Sequence, residues 1–176
     1  MTEILQHNFK TEKPVSIFTT KIIDTNMNDL MEKEIKKTGD VQDHKTNVKA
    51  YMTHWSMNDK PGFETLEKYI LEVCHFLNKK YYNKKLNIKL DNLWGMVFKT
   101  GDHALVHDHW PALWSGVYYI KAPENSGDLT FPQLKQRVTP QDNMMVIFDG
   151  STRHGVAENL SQEERIAVSF NVKEII

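Results

Sequence analysis

Residues 101–120 read GDHALVHDHWPALWSGVYYI. Three of the eight histidines, His103, His107 and His109, fall within seven positions here, and the stretch then runs into an apolar segment at 113–121. That segment is rich in aromatic and β-branched residues, which fits a strand of a buried sheet. Working outward, similar short apolar runs recur from residue 86 onward, at 93–99, 104–107, 128–131, 143–148, 154–157 and 165–172. Turn-forming sequences separate them: Thr-Gly-Asp, Pro-Glu-Asn-Ser-Gly, Thr-Pro-Gln-Asp and Glu-Asn-Leu-Ser. Regular short strands with such turns predict an antiparallel sandwich or barrel.

Upstream the texture differs. Residues 2–23 read as one or two extended segments, with a strand over 15–23. Asn26 can cap a helix over 27–37, whose apolar face is Met27, Leu30, Met31 and Ile35, and Gly39 is a natural stop. Residues 48–55 fit a strand. Gly62 opens a stronger helix, with Phe63, Leu66, Ile70, Val73, Leu77 and Tyr81 at helical spacing. Lys79, Lys80, Lys84 and Lys85 at its end read as a solvated terminus that suits the helix dipole. The expected class is α+β, mainly β, with N-terminal helices packed on one face. It is expected to be one domain over 1–176, with 1–85 as support and 86–176 as the β core.

Composition narrows the function. The chain has 176 residues, 40% hydrophobic and 26% charged, with net charge -1. No global field favours nucleic acid or an anionic membrane. The longest plainly apolar run, 144–148, is far from the ~20 residues of a membrane helix. The N-terminus shows no apolar signal core, and Cys74 is the only cysteine. Both features predict a reducing, cytoplasmic setting.

Two imidazoles two residues apart on one strand lie on the same face, roughly 6.5–7 Å apart at Cα, and can share a metal. Histidine suits iron, zinc, copper and nickel alike, and H-x-H alone also describes a polar strand end. Asp108 faces away if the strand is regular and is held as a reserve ligand. His103 reads as a bystander in a turn. His154 follows the apolar strand and the turn Asp149-Gly150-Ser151, where a barrel could supply a third ligand at its mouth. Of 22 basic residues only Arg137, Arg153 and Arg165 are arginine. Arg165 opens RIAVSFN and shares a strand face with Ala167, Ser169 and Asn171. Its planar fork suits bidentate recognition of a carboxylate.

The order H-x-H, SGVYY, G-x-L-x-F, an apolar strand, H-G-V and R-I-x-x-S-F-N resembles the iron(II)/2-oxoglutarate-dependent oxygenases, close to members related to prolyl hydroxylases. The likeness covers residues 93–172 and includes Trp94, Gly101, Gly127, Phe131 and Pro132. It implies a double-stranded β-helix, with Fe(II) on His107, His109 and His154. It also implies 2-oxoglutarate held through its distal carboxylate by Arg165, and an O2-dependent hydroxylation releasing succinate and CO2. The chain departs from the family pattern twice. His109 stands where most relatives have aspartate. Ala167 stands where many have serine, so Ser169 or a tyrosine must replace that contact. Tyr118 is the tyrosine assigned to the co-substrate; Tyr119 is the alternative, since alternation lets only one face inward. Trp110, Trp114 and Phe131 are expected to shape a pocket for an unidentified small-molecule or peptidyl substrate. Two other readings remain. One is a cupin-like three-histidine metalloprotein without 2-oxoglutarate; the other is a non-enzymatic β-sandwich binding module.

Overall fold

The computed structural model describes residues 4–9, 15–41, 47–83 and 85–175. Parts of the expected first extended segment (2–3 and 10–14), and Lys84 of the basic cluster, lie outside the described residues. The strands are β1 (Leu5–Phe9), β2 (Val15–Lys21), β3 (Val48–Lys49), β4 (Tyr51–Met52), β5 (Ile88–Phe98) and β6 (His103–His107). They continue with β7 (Trp114–Lys121), β8 (Leu129–Phe131), β9 (Gln136–Val138), β10 (Met144–Asp149), β11 (His154–Val156) and β12 (Arg165–Glu174). They form two sheets, in the orders β1-β2-β10-β7-β12-β5-β4 and β3-β6-β11-β8-β9, and every ladder between them is antiparallel. This is the double-stranded β-helix expected from the sequence.

β7 lies in the middle of the larger sheet and is buried from Trp114 to Ile120. Both its faces are covered, which explains why its sequence is continuously apolar rather than alternating. One face looks across to the smaller sheet, where Met96, Phe98, Val117, Tyr119, Phe148 and Ala167 share one core. The other face packs on the helices α1 (Thr25–Thr38) and α2 (Phe63–Tyr82), where Phe18, Ile35, Leu66, Tyr118, Val168 and Phe170 share a second core. The first core builds the site; the second supports it.

α1 approaches β5 very closely. A Cβ on Gly95 would sit 2.3 Å from Ile35 Cγ1, so only glycine permits this contact. The helix starts two residues earlier than expected. Asp24, not Asn26, is the cap: its Oδ1 accepts from Met27 N at 2.9 Å. α2 follows the expected face, with Phe63, Leu66, Ile70, Val73 and Leu77 buried, and Asn83 closes it in the left-handed conformation. Lys79, Lys80 and Lys85 are exposed, as a solvated helix end should be.

Two elements differ from expectation. The strand expected over 48–55 is two short ones, and they join different sheets: β3 pairs with β6 and β4 with β5. β9 was invisible in the sequence because Gln136 and Arg137 are exposed and leave no apolar pattern to read.

Candidate active site

His107 ends β6 and His154 begins β11, and the two are direct partners in the ladder. Their ring centroids are 4.5 Å apart. His109 lies past the end of β6. Its backbone N–H donates to Gly150 O at 2.8 Å, which ties the loop to the turn before β11. A side chain at Gly150 is excluded, since its Cβ would meet Ala112 O at 2.1 Å. The His109 ring stands 5.0 Å from that of His107 and 5.1 Å from that of His154. One nitrogen from each of the three lies within 4.8 Å of the others. The expected trio therefore converges, but not as two histidines on one strand face: the loop beyond β6 turns His109 inward. Asp108 stays outside the cluster, exposed, with Oδ1 accepting from Trp110 N at 3.2 Å. His103 also stays out, its Nδ1 3.3 Å from Gly101 O.

Hydrogen bonds set the tautomers. His107 Nδ1 donates to Leu105 O at 2.7 Å and His154 Nδ1 to Thr152 O at 2.9 Å. A carbonyl can only accept, so Nδ1 carries the proton and Nε2 keeps its lone pair for a metal. Burial pushes the His154 pKa down to about 3; the Thr152 bond opposes this and the neighbouring histidines add to it. Burial and then His107 push His109 down to about 4, with Asp108 opposing. Both are neutral at pH 7, the form that binds metal. Phe148 walls the cluster, its ring 4.5 Å from His154.

From this cluster a cavity runs between the sheets to Arg165. Arg165 is 1% exposed, and its guanidinium lies over the Phe98 ring, 4.1 Å from the centroid. Nη1 donates to Ser126 O and Gly127 O, each at 2.7 Å. Gly127 has φ +92°, and a Cβ there would meet Ala157 O at 2.2 Å, so glycine holds this turn under the arginine. Nε has no partner among the described residues. With Nη1 committed to the turn, the Nε–Nη2 edge is the side of the fork left for a carboxylate. Among the described residues no acidic side chain lines the cavity.

The structure corrects several assignments beside Arg165. Tyr118 points to the helix side and donates its hydroxyl to Ile22 O at 3.0 Å. Tyr119 is the cavity tyrosine, opposite Ala167 in the β7–β12 ladder. Its hydroxyl stands on the face where relatives place a serine, and burial raises its pKa to about 12, keeping it a donor. β7 alternates regularly here, with Val117 and Tyr119 on the cavity side and Trp114, Tyr118 and Ile120 on the helix side. Ser169 does line the cavity, yet it pairs with Trp94 while Arg165 pairs with Phe98. Four residues along a strand is roughly 13 Å, so Ser169 belongs to the metal end. Trp114 is in the helix-side core, with Nε1 donating to Asn78 Oδ1. Phe131 is buried core behind His154 and Phe148 rather than a pocket wall.

Beyond the histidines the site opens into a cleft of about 600 Å³. Trp94, His107 and His109 line both spaces. Trp110 lines the cleft as expected and is 76% exposed. Trp55, 51% exposed, lines it too; the sequence does not point to it, because a lone tryptophan in a polar stretch gives no periodic signal.

Residues 92–139 match a family model described as "Putative 2OG-Fe(II) oxygenase". The matched segment runs from β5 to β9 and contains His107 and His109. The search of curated proteins returned no match. Among solved structures, the viral collagen prolyl hydroxylase vCPH of Paramecium bursaria Chlorella virus-1, in its 2OG complex, aligns with TM-score 0.68 and 20% identity, over 90% of this chain and 96% of that one. A Pseudomonas putida prolyl-4-hydroxylase aligns with TM-score 0.69 and 10% identity, over 91% and 93%. HygX from Streptomyces hygroscopicus, with nickel and 2-oxoglutarate bound, aligns with TM-score 0.66 and 10% identity, over 89% and 82%. At these identities the structural likeness carries the fold, and the site rests on this chain's own residues.

Proposed function

We propose that the protein is an Fe(II)- and 2-oxoglutarate-dependent dioxygenase in which His107, His109 and His154 hold the metal and Arg165 with Tyr119 holds the distal carboxylate of 2-oxoglutarate. One observation carries this reading. Three histidines bring one nitrogen each within 4.8 Å of one another at one end of a cavity, and a buried arginine with an unpaired Nε closes the other end. The donors fit: imidazole suits iron(II), and an arginine fork suits a carboxylate. A three-histidine metalloprotein without 2-oxoglutarate would have no use for a buried, half-bonded guanidinium in its cavity.

Bound iron and 2-oxoglutarate supply the oxidising chemistry, with release of succinate and CO2. The chain supplies the rest. The Leu105 and Thr152 carbonyls fix the orientation of two ligand rings. The Ser126 and Gly127 carbonyls and the Phe98 ring hold the guanidinium in place, so a carboxylate meets a preformed partner. Phe98, Val117, Leu129 and Phe148 keep the cavity apolar and exclude bulk water. The cleft with Trp55 and Trp110 would admit the substrate. The named prolyl hydroxylases of like fold make peptidyl prolines and free amino acids the first substrates to screen.

The test is release of labelled CO2 from 2-oxoglutarate carrying the label at C1, under air with Fe(II). Slow turnover without added substrate, lost in both His154→Ala and Arg165→Ala, is expected. Turnover that survives Arg165→Ala would contradict the assignment.

A further inference from the structure

Four buried side-chain polar atoms lack a hydrogen-bond partner among the described residues: Asn78 Nδ2, Trp94 Nε1, Ser126 Oγ and Arg165 Nε. Such atoms are uncommon, because their lost hydration is not repaid. Two of the four belong to residues lining the inner cavity, and they mark its two ends. Arg165 pairs with Phe98 and Trp94 with Ser169, four positions apart on the same pair of strands. Trp94 is 7% exposed, and its ring stands 6.0 Å from that of His109, at the junction of cavity and cleft.

Arg165 Nε is accounted for by the distal carboxylate. Trp94 Nε1 is accounted for by nothing described so far. An indole N–H can only donate, so whatever satisfies it is an acceptor. Among the described residues no acidic side chain lines the cavity, and Asp91 and Asp108 of the adjoining cleft make no hydrogen bond to Nε1, so the acceptor comes with the ligand. The distal carboxylate is spoken for at the far end. At the metal end a 2-oxo dicarboxylate presents its other carboxylate, the strongest acceptor it has there.

We propose that Trp94 Nε1–H donates a hydrogen bond to the metal-proximal carboxylate of the bound 2-oxoglutarate, so that the two unpaired donors together measure the length of the co-substrate. This rests on the reading of the cavity as a 2-oxoglutarate site. It assigns the phenylalanine variant a specific phenotype, since Trp94→Phe keeps an aromatic ring and loses the donor, and the levulinate comparison cancels the loss of ring volume.

The experiment uses full-length protein loaded with redox-inert Zn(II) and compares two ligands by calorimetry. One is 2-oxoglutarate. The other is levulinate, which keeps the keto group and distal carboxylate but has a methyl in place of the metal-proximal carboxylate. Trp94→Phe is expected to weaken 2-oxoglutarate about tenfold, the usual scale for a charge-assisted hydrogen bond, and to leave levulinate unchanged. Arg165→Ala is expected to weaken both. In the unaltered protein, the indole N–H resonance of Trp94 should move downfield and exchange more slowly with 2-oxoglutarate but not with levulinate. That measurement stands even if the variant folds poorly. Equal loss of both ligands in Trp94→Phe, unchanged 2-oxoglutarate affinity, or an equal indole response to levulinate would overturn the proposal while leaving the co-substrate site intact. Failure of the unaltered protein to bind 2-oxoglutarate would overturn both.

Discussion

His109 and Asp108 are neighbours with opposite fates, and substituting each separates the two possible metal sites. His109→Ala should lose stoichiometric Fe(II), while Asp108→Ala should keep it, as read by equilibrium dialysis. The outcome matters for charge. Three neutral imidazoles leave the metal its full +2, Arg165 adds one more, and no acid among the described residues lines the cavity to offset them. The dianion of 2-oxoglutarate supplies most of the compensation, so iron should bind more tightly in its presence. The two tyrosines separate in the same way. Tyr119→Phe removes a donor from the cavity and should weaken 2-oxoglutarate by about 1.5 kcal/mol, roughly tenfold. Tyr118→Phe should leave that affinity unchanged and cost stability instead, since its hydroxyl is buried against Ile22 O and Asn28 Oδ1. At this scale the sequence exposed residue types well and side-chain direction poorly. Arg165 stood out because arginine is rare in this chain, and His107, His109 and His154 because of their motifs and order along it. Tyr118 against Tyr119, and the place of Trp114, turned on which face of β7 packs on the helices, and its apolar residues on both faces give no sign of that.

The helices do their work through contact with the larger sheet, and one glycine tests that directly. Gly95→Ala would push a Cβ into Ile35 and should cost about 1–3 kcal/mol by overpacking. Thermal unfolding should register the loss, while metal stoichiometry in the folded protein stays at one. The elements themselves were largely legible. α2 announced itself by nearly twenty residues of helical spacing, and β7, β10 and β12 by short apolar runs between turns. What escaped were pieces whose pairing is decided elsewhere. β3 and β4 are two residues each and separate to different sheets, and β9 carries no apolar face. The loop after β6 escaped as well. Its ligand faces inward because Gly150 accepts the His109 N–H, a contact 41 positions away in the chain.

For the molecule as a whole, the cost of assembling buried neutral histidines should appear in its pH dependence. His154 and His109 have native pKa values of about 3 and about 4, against an ordinary value of 6.5. Between pH 4 and 6.5 the unfolded chain therefore binds more protons than the native one, and stability rises with pH across that window. The metal-free protein should lose denaturant resistance steadily as the pH falls from 7 to 5, and a His109→Gln, His154→Gln double variant should show a shallower slope. Zn(II) with 2-oxoglutarate should raise the melting temperature by mass action, and neither ligand alone should raise it as far. The architecture and the oxygenase reading followed from the order of motifs along the chain. The cleft did not, because it joins Trp55 from the N-terminal half to Trp110 and the metal cluster, a meeting that only the folded chain makes.

The most direct test of the account is an anaerobic titration with Fe(II) and 2-oxoglutarate, followed by the weak visible charge-transfer band of the chelated complex. The band should appear at one equivalent of iron and be absent from Arg165→Ala at the same ligand concentration. Stoichiometric iron binding without a band in the unaltered protein would contradict the account and leave a three-histidine metal site that does not use 2-oxoglutarate.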